Sequence, residues 1–107
     1  MEKHQIDKLV EHFRRTADPE KIVLLKTDEV REIDGSEYAV LIIIPETTTP
    51  EREAEIADEA YGWLGKTGQS GIPAYPFVKR LSDLGEWMNV PCSLSYRCMH
   101  EGTVVYG

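Results

Sequence analysis

Two apolar runs joined by a charged link constrain this chain more than any other feature. Lys21–Leu25 reads KIVLL, and Glu37–Ile44 reads EYAVLIII and is closed by Pro45. Both have strand length and β-branched content. The second run does not alternate apolar with polar residues. A strand of that kind is covered on both faces, so the pattern predicts a central position in a sheet. The link Lys26–Ser36 carries Asp34-Gly35 as its turn signal. Chemistry is expected at this loop and at the entry to the second strand.

The remaining segments supply the covers. Lys3–Thr16 places Ile6, Leu9, Val10 and Phe13 at helical spacing, one stripe for a core. His12 falls off that stripe and is expected as a solvated surface histidine. Asp18-Pro19 breaks the helix. Thr49 suits an N-cap and Pro50 the first helical position, and Glu51, Glu53 and Glu55 complement the helix dipole. This helix is predicted to reach Leu64. Ala54, Ala57, Ala60, Tyr61 and Leu64 form its buried stripe, Ile56 and Trp63 flank it, and Gly65 follows as C′. Ile72–Arg80 is extended, and Pro73 and Pro76 make it an edge or irregular strand. Ser82 caps a short helical turn with Leu84, Trp87 and Met88. Cys92–His100 is a last helix and Thr103–Tyr106 a last strand. The order α-β-β-α-β-α-α-β predicts one α+β domain over 1–107, a small mixed sheet packed with helices.

Charge and composition narrow the functions. The chain has 107 residues and a net charge of −7. That disfavours nucleic acid and anionic membrane surfaces, which need a basic face. No apolar run nears the ~20 residues of a membrane span. The two cysteines, Cys92 and Cys98, read as packing residues, and with no leader pattern a cytoplasmic location is expected. Lys66–Gly71 (KTGQSG) lacks phosphate-loop spacing because its lysine precedes the glycines. The chain holds no G-x-S-x-G, no H-E-x-x-H and no dinucleotide fingerprint. Cys98 and His100 lie too close in sequence for a dyad.

Three phrases carry a family likeness: Asp18–Leu25 (DPEKIVLL), Ser36–Pro45, and Ser93-Leu94 with Arg97 and Glu101–Tyr106 (EGTVVY). Together with the element order, over nearly the whole chain, they resemble the minimal nucleotidyltransferases of the DNA polymerase β-like superfamily. These are small prokaryotic domains, often encoded beside an HEPN-domain partner, in toxin–antitoxin pairs among other settings. The family's chemistry uses a Gly-Ser at the end of the first strand, where backbone N–H groups approach phosphates. It also uses an Asp-x-Asp at the start of the second strand and a third carboxylate on a later one, which hold Mg²⁺ with a nucleoside triphosphate.

On this chain the Gly-Ser falls on Lys26-Thr27, the Asp-x-Asp on Glu37-Tyr38-Ala39, and the third carboxylate on Tyr75. The resemblance therefore implies a degenerate nucleotide pocket at Lys26, Thr27, Glu37, Ala39 and Tyr75, with no catalytic set, no metal ligands and no cofactor. Other registers are poorer. Asp28 and Glu29 are adjacent, so strand geometry sends them to opposite faces. Glu32-Ile33-Asp34 has the right spacing but precedes Gly35 and lies outside the apolar run. The function implied is a catalytically impaired domain acting through protein contacts. It is the regulatory or antitoxin-like half of a pair with an HEPN-type partner, or a homo-oligomer. Tyr38, Tyr61, Trp63, Tyr75 and Trp87 are either core or interface residues. Two alternatives stay open: a divergent Mg²⁺-dependent transferase using Glu37 and loop acids, and a nucleotide sensor in which Lys26 offers its charge to phosphates.

Overall fold

The two-sided apolar run becomes an interior strand. In the computed structural model, which describes residues 1–27, 35–65, 68–83 and 94–107, the sheet has four strands. They are β1 (Lys21–Lys26), β2 (Tyr38–Ile44), β3 (Ala74–Arg80) and β4 (Thr103–Tyr106), in the order β3-β2-β1-β4. β1 pairs antiparallel with both β2 and β4, and β2 pairs parallel with β3. The sheet is therefore mixed and the domain α+β, as the sequence predicts. The first strand runs one residue beyond its expected end, and the second begins at Tyr38 instead of Glu37.

Side-chain alternation splits the core in two. Ile22 and Leu24 of β1 and Val40, Ile42 and Ile44 of β2 face one way. Val23 and Leu25, with Ala39, Leu41 and Ile43, face the other. Every β2 residue from Ala39 to Ile44 is buried. Burying one such isoleucine stabilises the fold by roughly 1.5–3 kcal/mol, and β2 has the longest buried run among the described strands.

The first face is covered by α1 (Lys3–Thr16) and α2 (Pro50–Trp63). α1 buries Leu9 and Phe13, and Ile6 and Val10 pack beside them. α2 starts as its sequence predicts: the Thr49 hydroxyl accepts from Arg52 N–H at 3.1 Å, and Pro50 occupies the first turn. Its buried stripe matches the expectation at Ala60 and Leu64 and differs from it elsewhere. Ile56, Ala60 and Leu64 are buried, while Ala54 is exposed and Tyr61 is 50% exposed. The stripe is set by the bulky Ile56 and Leu64 at i and i+8, and small alanines do not outweigh them. Leu64 caps the helix, and Gly65 follows at φ 93, the left-handed C′ position that favours glycine.

β3 is tied to α2 and to the β2–α2 loop by one partly buried cation. Arg80 Nη1 donates to Glu53 Oε2 at 2.7 Å and Nη2 to the Thr48 carbonyl at 2.7 Å. Ser82 donates from N–H and Oγ to the two oxygens of Glu46 at 2.7 and 2.8 Å. Together these pin the β2–α2 loop. β3 is an edge strand with Pro76 inside it, as expected.

The second face is covered by α3 (Leu94–Glu101), whose Cys98 is buried at 1% exposure among Val23, Leu25, Ala39, Leu41 and Ile43. Cys98 is a free thiol in an apolar site, a packing residue. Cys92, the predicted turn at Leu84, Trp87 and Met88, Lys66, and the loop acids Asp28, Glu29, Glu32 and Asp34 lie outside the described residues. Among the described residues, no helix is long and apolar enough to cross a membrane.

Candidate functional site

The five positions singled out by sequence gather at one end of the sheet. Lys26 ends β1 and pairs with Tyr38 at the start of β2. One residue on, Thr27 N–H donates to the Glu37 carbonyl at 3.1 Å. Ala39 stands in register with Leu25 on one side and Tyr75 on the other. Sheet pairing thus brings together residues spread over half the chain.

Their environments differ. Lys26 and Glu37 are exposed, Thr27 is 7% exposed and Ala39 has no exposed surface. Tyr75 is half-buried. Its ring lies 5.5 Å from that of Tyr61 and 5.1 Å from that of Phe77, so three aromatic rings run in contact along the β3 edge. The Tyr61 hydroxyl ionises above the ordinary tyrosine value of 10.0. Burial is the main cause, followed by its hydrogen bond with Tyr75 and the charges of Tyr75 and Asp58.

α3 adds a group that the sequence named only as part of a closing helix. Arg97 Nη1 donates to Thr27 Oγ1 at 3.2 Å, and its Nε donates to Glu101 Oε2 at 2.9 Å. The Arg97–Glu101 spacing of i, i+4 is legible in sequence; the reach to Thr27 is not.

The chemistry open to this site follows from what it holds. Of the two Asp-x-Asp positions, one is exposed Glu37 and the other is a buried methyl group. The third position is a phenol. Among the described residues, no group of three or more His, Cys, Asp or Glu side chains comes together to hold a metal ion. A two-metal site needs carboxylates on one face within reach of one another, and Ala39 and Tyr75 supply none. The site offers hydrogen bonding through Thr27, Arg97 and Tyr75, and positive charge through Lys26.

Two other groupings lie elsewhere. His12 is not the solvated histidine its position predicts. Its Nε2 donates to Glu59 Oε1 of α2 at 2.6 Å, and its ring lies flat on that of Trp63, 3.7 Å between centroids and 3° between planes. The side chain is 17% exposed. Helical periodicity locates the core stripe but not a second helix packed alongside. At the opposite end of the sheet, a cavity of about 410 Å³ opens between the end of α1 and the start of α2, with Arg15, Arg52 and Thr47–Thr49 in its wall. Both arginines already face carboxylates, Arg15 with Glu11 at 3.7 Å and Arg52 with Glu55 at 3.2 Å.

No family model matches this chain, and no match was found among curated proteins or solved structures.

Proposed function

We propose that this chain is a nucleotidyltransferase-like domain without transfer chemistry, which acts through protein contacts as the regulatory or antitoxin-like member of a pair with an HEPN-type partner or as a homo-oligomer. One observation carries the reading: Ala39, fully buried, is in register between Leu25 and Tyr75. A transferase of this kind needs carboxylates where Ala39 and Tyr75 stand, and the buried alanine is packing, not chemistry. Glu37 alone cannot bridge two metal ions and a triphosphate.

A second reading has its own support. Lys26 is exposed beside Thr27, and Arg97 reaches the Thr27 hydroxyl. Two cations and a hydroxyl at one sheet end suit a phosphate group without a metal, which is the nucleotide-sensor alternative.

Calorimetric titration with ATP separates the readings, run once with Mg²⁺ and once with a chelator. The protein-contact reading expects no heat of binding in either, and no labelled nucleotide transferred to this chain or to a co-purified partner. Binding that survives the chelator, and weakens in Lys26→Ala, supports the sensor. Binding that requires Mg²⁺ overturns both and means that a metal site exists, as the divergent transferase requires.

A further inference from the structure

An aromatic strip and an acidic helix face meet at the β3 edge. The Tyr61 ring of α2 lies 5.5 Å from that of Tyr75, and the Tyr75 ring 5.1 Å from that of Phe77, with planes tilted by 58° and 59°. Tyr61 is 50% exposed, and Tyr75 and Phe77 are partly buried. On the outer face of α2, Glu51, Glu55, Asp58 and Tyr61 follow one another at helical spacing, all exposed. Glu55 already faces Arg52 at 3.2 Å. Asp58, one turn before Tyr61, stands in no ion pair among the described residues, and its charge acts on the Tyr61 hydroxyl. Gly62 completes the patch. It is exposed, lies one turn after Asp58, and a Cβ there would meet nothing within 4 Å. Packing does not ask for glycine here, and the bare backbone leaves room beside Asp58 and Tyr61.

We propose that this patch is a docking surface for an arginine on a basic segment of a partner protein, with the guanidinium laid against the Tyr61 ring and paired with the Asp58 carboxylate. The groups present answer to that chemistry. An aromatic face attracts a cation through its quadrupole, arginine more often than lysine. A planar guanidinium can lie on a ring and still offer paired N–H donors to a carboxylate at its rim. Charge selects the partner. The chain carries −7 overall, and α2 sets Glu51, Glu55 and Asp58 in line with Tyr61. A basic segment is drawn to this face, while an acidic one, a second copy of this chain included, is repelled.

The edge also dictates the mode of contact. Pro76 has no N–H to donate, so β3 offers an incomplete ladder to an added strand, and recognition falls to side chains. Lys79 follows Phe77 on the same face of β3. Its charge places the partner's cation at the Tyr61–Tyr75 end and leaves the Phe77 end for an uncharged side chain. An arginine-bearing partner gives chemistry to the protein-contact reading above and rests on it.

Nuclear magnetic resonance titration of the whole chain with a blocked peptide, acetyl-Gly-Arg-Leu-Arg-Gly-amide, in about 150 mM salt tests this. A dissociation constant on the order of 1 mM is expected, as for a contact of one or two side chains. The shifted amides should lie in 58–62 and 74–77, and the same peptide with glutamate for arginine should shift none. Tyr61→Leu keeps apolar bulk and removes the ring face, and weakens binding about threefold or more. Asp58→Asn weakens it about twofold or more. Glu20→Gln removes the same charge at the opposite end of the sheet, where Glu20 N–H donates to the Ile43 carbonyl, and leaves binding unchanged within error because salt screens that distance. No binding at about 10 mM peptide overturns the proposal. So do shifts centred elsewhere, a folded Tyr61→Leu variant that binds as the wild type does, or equal weakening by Asp58→Asn and Glu20→Gln. Those failures leave the protein-contact reading standing, whereas Mg²⁺-dependent ATP binding removes that reading whatever the peptide does.

Discussion

His12 Nε2 donates to Glu59 Oε1 at 2.6 Å across the α1–α2 contact, and the same imidazole stacks on Trp63. The ring also meets Phe13 edge-on at 5.2 Å, and Phe13 meets Trp63 edge-on at 5.6 Å. Three rings and one carboxylate thus join two helices that share no backbone hydrogen bond among the described residues.

His12→Ala removes both the stack and the bond to Glu59. The expected loss is about 1–2 kcal/mol, from an aromatic pair and a charge-assisted hydrogen bond at a half-buried site. Thermal unfolding should show Tm lower by roughly 4–8 °C per kcal/mol. Glu59→Gln keeps the shape and the stack, and should cost less than His12→Ala. Equal losses from the two changes would mean that the stack contributes nothing.

Gly102 turns the chain from α3 into β4, with its N–H donating to the Cys98 carbonyl at 3.0 Å. A Cβ there would overlap that carbonyl oxygen and the Val23 Cγ1 methyl. Gly102→Ala must push α3 away from β1, and a loss of about 2 kcal/mol is expected. Chemical denaturation measures it; a change of midpoint within error would show that the corner can relax.

Tyr61 gives a pH signature. Its ionisation lies above 10.0 through burial first, then through Tyr75 and Asp58. The unfolded chain loses that proton first, so this group's contribution to stability is whole below pH 10.0 and is lost as pH rises through the folded value. In a spectrophotometric titration of the phenolates, one of the five tyrosines should ionise late. Tyr75→Phe and Asp58→Asn should each bring it down, and a curve unchanged by both substitutions would contradict the assigned causes.

Ala39→Asp tests the pocket directly. It places a carboxylate on the strand, but at a position with no exposed surface. A buried carboxyl without partners costs about 3 kcal/mol or more, so Tm should fall by more than about 10 °C. Millimolar Mg²⁺ with ATP should not restore it. Recovery of stability by Mg²⁺ would reveal a metal site latent in the frame.

Local sequence determined much of this protein, because local physics leaves local marks. An uninterrupted apolar run such as Tyr38–Ile44 cannot face water on either side, so its interior place could be read directly. Thr49-Pro50 with acids behind it starts a helix in any context, and Pro76 excludes an interior strand. The pairing of β1, β2 and β3 brings Lys26, Thr27, Glu37, Ala39 and Tyr75, the positions that the resemblance implies, to one end of the sheet. Only the tertiary structure decided what depends on partners distant in sequence. His12 gains Glu59 and Trp63 from a second helix, and Arg97 reaches Thr27 across 70 residues. α2 turns Ile56 inward instead of Ala54 and Tyr61. None of these leaves a periodic signal, because each is settled by which surface is offered opposite, and that surface exists only once the sheet has formed.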